Sequence, residues 1–164
     1  MEAFVELLVR WVHFVAGVTW IGLLYFFNLV NVNFMKSLDA PTKGKVVPLL
    51  MPKALWWFRY GALATVVAGL LLVAMNWPGE DSWRVSIMLG GTLGIIMFLN
   101  VWLIIWPNQQ KIIAMTAEAA AKQTPPPAEM AVLARRAYLA SRTNFYLSFP
   151  MLLFMGAASH FHFK

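Results

Sequence analysis

"FVELLVRWVHFVAGVTWIGLLYFFNLVNVNF", from Phe4 to Phe34, carries two formal charges, Glu6 and Arg10, both near its start. A helix needs about 20 consecutive apolar residues to cross a bilayer, and this run supplies more. It is too long for a signal-peptide core, begins with Glu2 and Glu6 rather than a basic region, and shows no A-x-A-type cleavage site. It reads as a retained transmembrane helix. Three similar runs follow: Leu55 to Trp77, stopped by Pro78 and Gly79; Trp83 to Trp106; and Asn144 to Phe163, with Pro150 as a kink that a membrane bundle tolerates.

Between the third and fourth runs, "KIIAMTAEAAAK" (Lys111 to Lys122) has high helix propensity and extends the third helix beyond the membrane. The prolines of "TPPP" (Thr124 to Pro127) end it. "AEMAVLARRAYLASR" (Ala128 to Arg142) then leads as a helix into the fourth run. The expected helices cover about 4–34, 55–77, 83–122 and 128–162. The fold class is therefore all-α: one integral membrane domain, a four-helix bundle with a protruding cytoplasmic helical hairpin between helices three and four.

Composition agrees. Of the 164 residues 60% are hydrophobic and 12% charged, about half the charge of a soluble domain. With no cysteine, disulfides, thiolate metal sites, iron–sulfur clusters and covalently attached c-type haem are all excluded. The net charge of +6 does not indicate nucleic acid, because the basic residues lie between the apolar runs. Lys36, Lys43, Lys45, Lys53 and Arg59 follow the first run, and Lys111, Lys122, Arg135, Arg136 and Arg142 the third; the second loop has only Arg84. The positive-inside rule then puts both basic loops in the cytoplasm and both termini on the periplasmic side of a bacterial inner membrane.

Three histidines exist, His13, His160 and His162. With this topology all three fall in the outer half of the membrane, where ionisable groups are expensive and functional by default. Gly17 follows His13 by four residues and Gly156 precedes His160 by four. On antiparallel helices each glycine then lies one turn deeper than its histidine, on the same face. Bis-histidine ligation of haem b by His13 and His160, with Gly17, Trp20 and Gly156 lining the porphyrin, is one reading. Haem ligation by a single histidine is a second, and close helix packing through small residues, with structural histidines, is the third. His162 points elsewhere on the helix and is the less favoured ligand. A second constellation lies toward the cytoplasm. Asn28 and Asn31 continue the face of His13, Gly17, Trp20 and Leu24, and Arg59, Asn100, Asn108, Gln109, Arg142 and Asn144 approach from the other helices. Such groups must face one another or a ligand, a quinone or a haem propionate among the options. No general acid accompanies them, so proton-transfer catalysis is not indicated.

"RWVHFVAGVTWIGLLYFFN" (Arg10 to Asn28), "LGGTLGIIMFLNVWLIIWPNQQK" (Leu89 to Lys111) and "RTNFYLSFPMLLFMGAASHF" (Arg142 to Phe161) resemble the membrane domain of PuuD-type urate hydroxylases, the urate oxidase N-terminal domain. The first motif is also similar, over a shorter stretch, to the H-x6-W helix of CopD- and HemJ-type haem membrane proteins. The PuuD-type resemblance implies a membrane domain that passes electrons from urate oxidation to a cytochrome c and the respiratory chain. It carries over to His13, Trp20, Gly22, Asn28, Asn108, Gln109, Asn144, Tyr146, Pro150 and His160. It also implies a histidine in helix three, where this chain has "SIMLGGTLG" (Ser86 to Gly94). The function expected is a membrane haem b protein relaying electrons within a larger redox assembly. The alternatives are a non-redox accessory subunit and a urate- or purine-oxidising subunit working with a separate cytochrome c. Expected partners are membrane lipid, a redox protein or cytochrome c, and a second copy of the chain, but no nucleic acid.

Overall fold

The computed structural model describes residues 1–77 and 80–158, apart from the side chain of Ser82. Among them are four helices and no strand. Helix α1 (Glu2–Ser37) is α-helical over Glu2–Tyr25 and Val32–Ser37, on either side of a π-helical segment, Phe26–Asn31. Helix α2 covers Ala40–Asn76. Helix α3 (81–122) is α-helical over Asp81–Leu99 and Trp106–Lys122 around a second π-helical segment, Asn100–Ile105. Helix α4 covers Glu129–Ala157. The first three are long and apolar enough to cross a membrane. The last residues of the fourth apolar run lie outside the described residues.

Local chemistry sets the ends. Asp39 caps α2 by accepting the Thr42 N–H at 2.9 Å, and this hydrogen bond holds its carboxyl below the usual carboxylate range. Pro41 follows in the first turn, where its missing N–H is harmless. At the end of α3, Gln123 turns left-handed (φ 53°), and its N–H returns to Ala119 and Ala120. The unexpected feature is the start of α2, at Ala40 rather than near Leu55. The helix runs through Pro48 and Pro52, each of which removes one backbone hydrogen bond. Packing against α3 sustains it: a Cβ on Gly44 would sit 2.8 Å from that of Ala120, and Met51 is buried. The basic extension, made of residues 40–53 and 111–142, therefore has three helical pieces, the hairpin plus the first turns of α2.

Neighbouring helices run antiparallel. Along α1 and α2, His13 lies opposite Thr65 and Phe27 against Phe58. Along α3 and α4, Gly90 faces Met151 and Asn100 faces Asn144. Between α2 and α3, Arg59 meets Trp102 and Trp106. The core is Trp20, Leu24, Phe58, Met97 and Val101, each 2% exposed or less. Outside it, Phe14, Leu103 and Leu153 are each 68% exposed, an apolar exterior that suits lipid and not water.

Candidate functional site

His13 is held by α2. Its Nδ1 lies 2.8 Å from the Thr65 carbonyl oxygen. A carbonyl can only accept, so Nδ1 carries the proton and, in the neutral ring, Nε2 keeps its lone pair. Nε2 has no hydrogen bond among the described residues. The Thr65 hydroxyl donates to Gly61 O at 2.7 Å, so it does not compete for His13. The ring fits only because position 69 is glycine: a Cβ there would stand 2.9 Å from His13 Cε1 and 3.1 Å from Nδ1. Gly61, Thr65 and Gly69 recur every four residues, a small-residue stripe on which α1 lies close. Gly17 belongs to the same contact, with Thr65 Cγ2 3.8 Å from where its Cβ would be.

The other expected haem contacts are spread out. Trp20 is buried at 2% exposure, and its indole N–H has no partner among the described residues. Gly156 lies in the last turn of α4, where an added Cβ meets nothing within 4 Å among the described residues. His160 and His162 lie outside the described residues. Within them, no group of three or more histidine, cysteine or carboxylate side chains could hold a metal ion.

The second constellation forms a polar layer linking α1, α3 and α4. Asn28 Nδ2 donates to Leu24 O and to Ser141 Oγ, both at 2.9 Å. Asn144, fully buried, donates to Met97 O at 2.9 Å and accepts from Asn100 Nδ2 at 2.8 Å. Tyr25 and Ser148 hydroxyls meet at 3.1 Å. The two π segments lie in this layer, and each begins just past a backbone carbonyl that an asparagine amide has engaged: Leu24 for the first, Met97 for the second. Diverted carbonyls loosen the i→i−4 ladder, and Pro107, just past the second segment, further disfavours α-helical bonding there. π-helical turns are frequent at functional sites.

Several buried atoms in the layer or on the neighbouring turns of α2 and α3 have no partner among the described residues: Asn28 Oδ1, Asn31 Oδ1, Arg59 Nε and Trp102 Nε1. The Arg59 guanidinium lies 3.9 Å from the Trp106 ring centre, 5.0 Å from Trp102 and 4.7 Å from Tyr60. Arg142 stacks on Phe145 and Tyr146. Asn108 bonds its own helix at Ile104 O, 2.6 Å away, and Gln109 is half-buried. The layer thus unites Asn28, Asn100 and Asn144, and leaves Asn108 outside. Tyr25, Ser141, Ser148, Thr65 and Gly69 were missed from sequence. Ser141, Asn144 and Ser148, at steps of three and four, were the readable signal for one face of α4.

These features define a helical membrane protein with an unusually polar interior. A family model described as "Urate oxidase N-terminal" matches residues 81–164, 84 of 164 positions (164 − 81 + 1). The chain belongs to the urate oxidase N-terminal family. The matched part contains the second π segment, Asn100, Arg142 and Asn144; His13 precedes it. No curated protein and no solved structure matches the chain.

Proposed function

We propose that the chain is a membrane electron relay that binds haem b, with His13, through Nε2, and His160 as the residues that would hold it. The carrying observation is the His13–Thr65 hydrogen bond. A ligating histidine needs its second nitrogen tied to a carbonyl or carboxylate, which fixes the tautomer and aims the free lone pair. His13 has that arrangement, with Nε2 unengaged among the described residues. Two imidazoles suit haem iron. Of the three expected porphyrin contacts, Gly17 instead packs on Thr65 and Trp20 lies in the core. That leaves Gly156, with open space beside it among the described residues, as the one that could border the ring. When bound, haem would supply one-electron chemistry there. The chain's own part is to position the imidazole, exclude water and fix the proton on Nδ1.

The family name supports a link to urate, and in our reading electrons would come from oxidation of urate or a related purine and leave through a cytochrome c or a larger respiratory complex. The basic extension would face the bacterial cytoplasm and both termini the periplasm, as positive-inside asymmetry requires. The same family name supports a second reading, in which this subunit itself binds the purine. The test is a reduced-minus-oxidised visible spectrum of detergent-purified protein from haem-replete cells. Haem b bands are expected, and in membranes urate should reduce them. A colourless preparation contradicts the relay; haem bands indifferent to urate retain the relay and remove the purine.

A further inference from the structure

Arg59 lies in the apolar part of α2, 6 residues from Lys53 (59 − 53), which is about 9 Å along a helix. Trp56 and Trp57, exposed at 48% and 59%, flank it at the level where tryptophan marks a membrane interface. Its guanidinium is held against Tyr60, Trp102 and Trp106, from two helices, so rotamer freedom is already lost. Nε is buried with no partner, and no ion pair involves Arg59 among the described residues. The chain's 7 carboxylates lie in loops, in the first two turns of helices or, for Glu118, near the end of α3, so no internal counter-charge serves this level.

Arginine only donates. Ring stacking satisfies its π-face but none of its N–H groups, and an arginine at membrane depth without a counter-ion is expensive. Its planar fork matches a pair of tetrahedral oxygens carrying negative charge. We infer that Arg59, in its Tyr60–Trp102–Trp106 cradle, is a binding site for a phosphate group, offered either by a phospholipid headgroup in the leaflet on the basic side or by a soluble phosphate. The site is separate from His13 and does not depend on haem.

The experiment uses the delipidated full chain in neutral detergent, with phosphatidylglycerol and inorganic phosphate as probes, read by native mass spectrometry and by thermal unfolding. The wild type should retain one phosphatidylglycerol or be stabilised by phosphate. Arg59→Gln should weaken that binding at least tenfold. Trp106→Leu, which keeps the charge and opens the cradle, should weaken it severalfold and covers the case in which Arg59→Gln does not fold. Binding of phosphatidylglycerol alone assigns the headgroup; binding of inorganic phosphate with the same Arg59 dependence assigns the soluble source. Wild-type binding of neither probe, or equal binding by wild type and the folded variants, overturns the inference.

Discussion

Gly69→Ala places a methyl group where the His13 ring now lies. The new Cβ would be 2.9 Å from Cε1 and 3.1 Å from Nδ1, while carbon–carbon contacts settle at about 3.5–4.0 Å. The ring must therefore withdraw from α2 by about 0.6 Å or more, and it cannot do so and keep its 2.8 Å bond to Thr65 O unstrained. In stability alone the loss is small, about 0.5–1.5 kcal/mol for one hydrogen bond. In ligand orientation it is larger, because disturbing the partner of a ligating histidine typically costs about 10–100-fold in affinity. Gly69→Ala should therefore fold with near-wild-type helix content yet lose haem at least tenfold faster to a competing apo-haemoprotein. Gly22→Ala is the control, since a Cβ there meets nothing within 4 Å. Wild-type haem retention in Gly69→Ala would refute the idea that the His13–Thr65 contact aims the imidazole.

Asn144→Ala removes two interhelical hydrogen bonds and strands the Asn100 amide. Buried groups left unpaired cost about 1–3 kcal/mol each, though interhelical bonds in membranes run lower. A loss of about 2–4 kcal/mol is expected by detergent-titrated unfolding, against less than about 1 kcal/mol for Asn108→Ala, whose bond is to its own helix. The Asp39 cap responds to acid. Its folded-state pKa lies below the ordinary 3.8, chiefly through the Thr42 hydrogen bond, so its contribution is present above 3.8 and fades as pH falls through the lowered value. The protection of the Thr42 N–H, its exchange relative to the intrinsic rate at each pH, should fall across that acidic window, and Asp39→Asn should abolish this pH dependence while keeping the cap.

The inward face of α1 was legible because helical periodicity records burial. Trp20, Leu24, Asn28 and Asn31, at steps of four, four and three, are exposed by 2%, 0%, 6% and 8%. The start of α2 was not legible, because Pro48 and Pro52 are local breakers, and what overrides them is the approach of Gly44 to Ala120, distant in sequence. The π segments were hidden for a similar reason. The amide that engages Met97 O belongs to Asn144 on another helix, and hydrophobic patterning carries no trace of it. Gly69 carries no sequence signal of its own, and only the His13 ring beside it shows what the glycine does. Composition placed the polar groups inside the membrane, but their partners required the packing of α4.

The most direct measurement of the central claim is the absorption spectrum of purified His13→Ala beside the wild type, each with and without added imidazole. If His13 Nε2 ligates haem iron, the variant loses or shifts the Soret band, and imidazole filling the vacated position restores it. A haem-bearing wild type whose spectrum His13→Ala leaves unchanged would contradict that assignment, and the bond to Thr65 would then only pack α1 against α2.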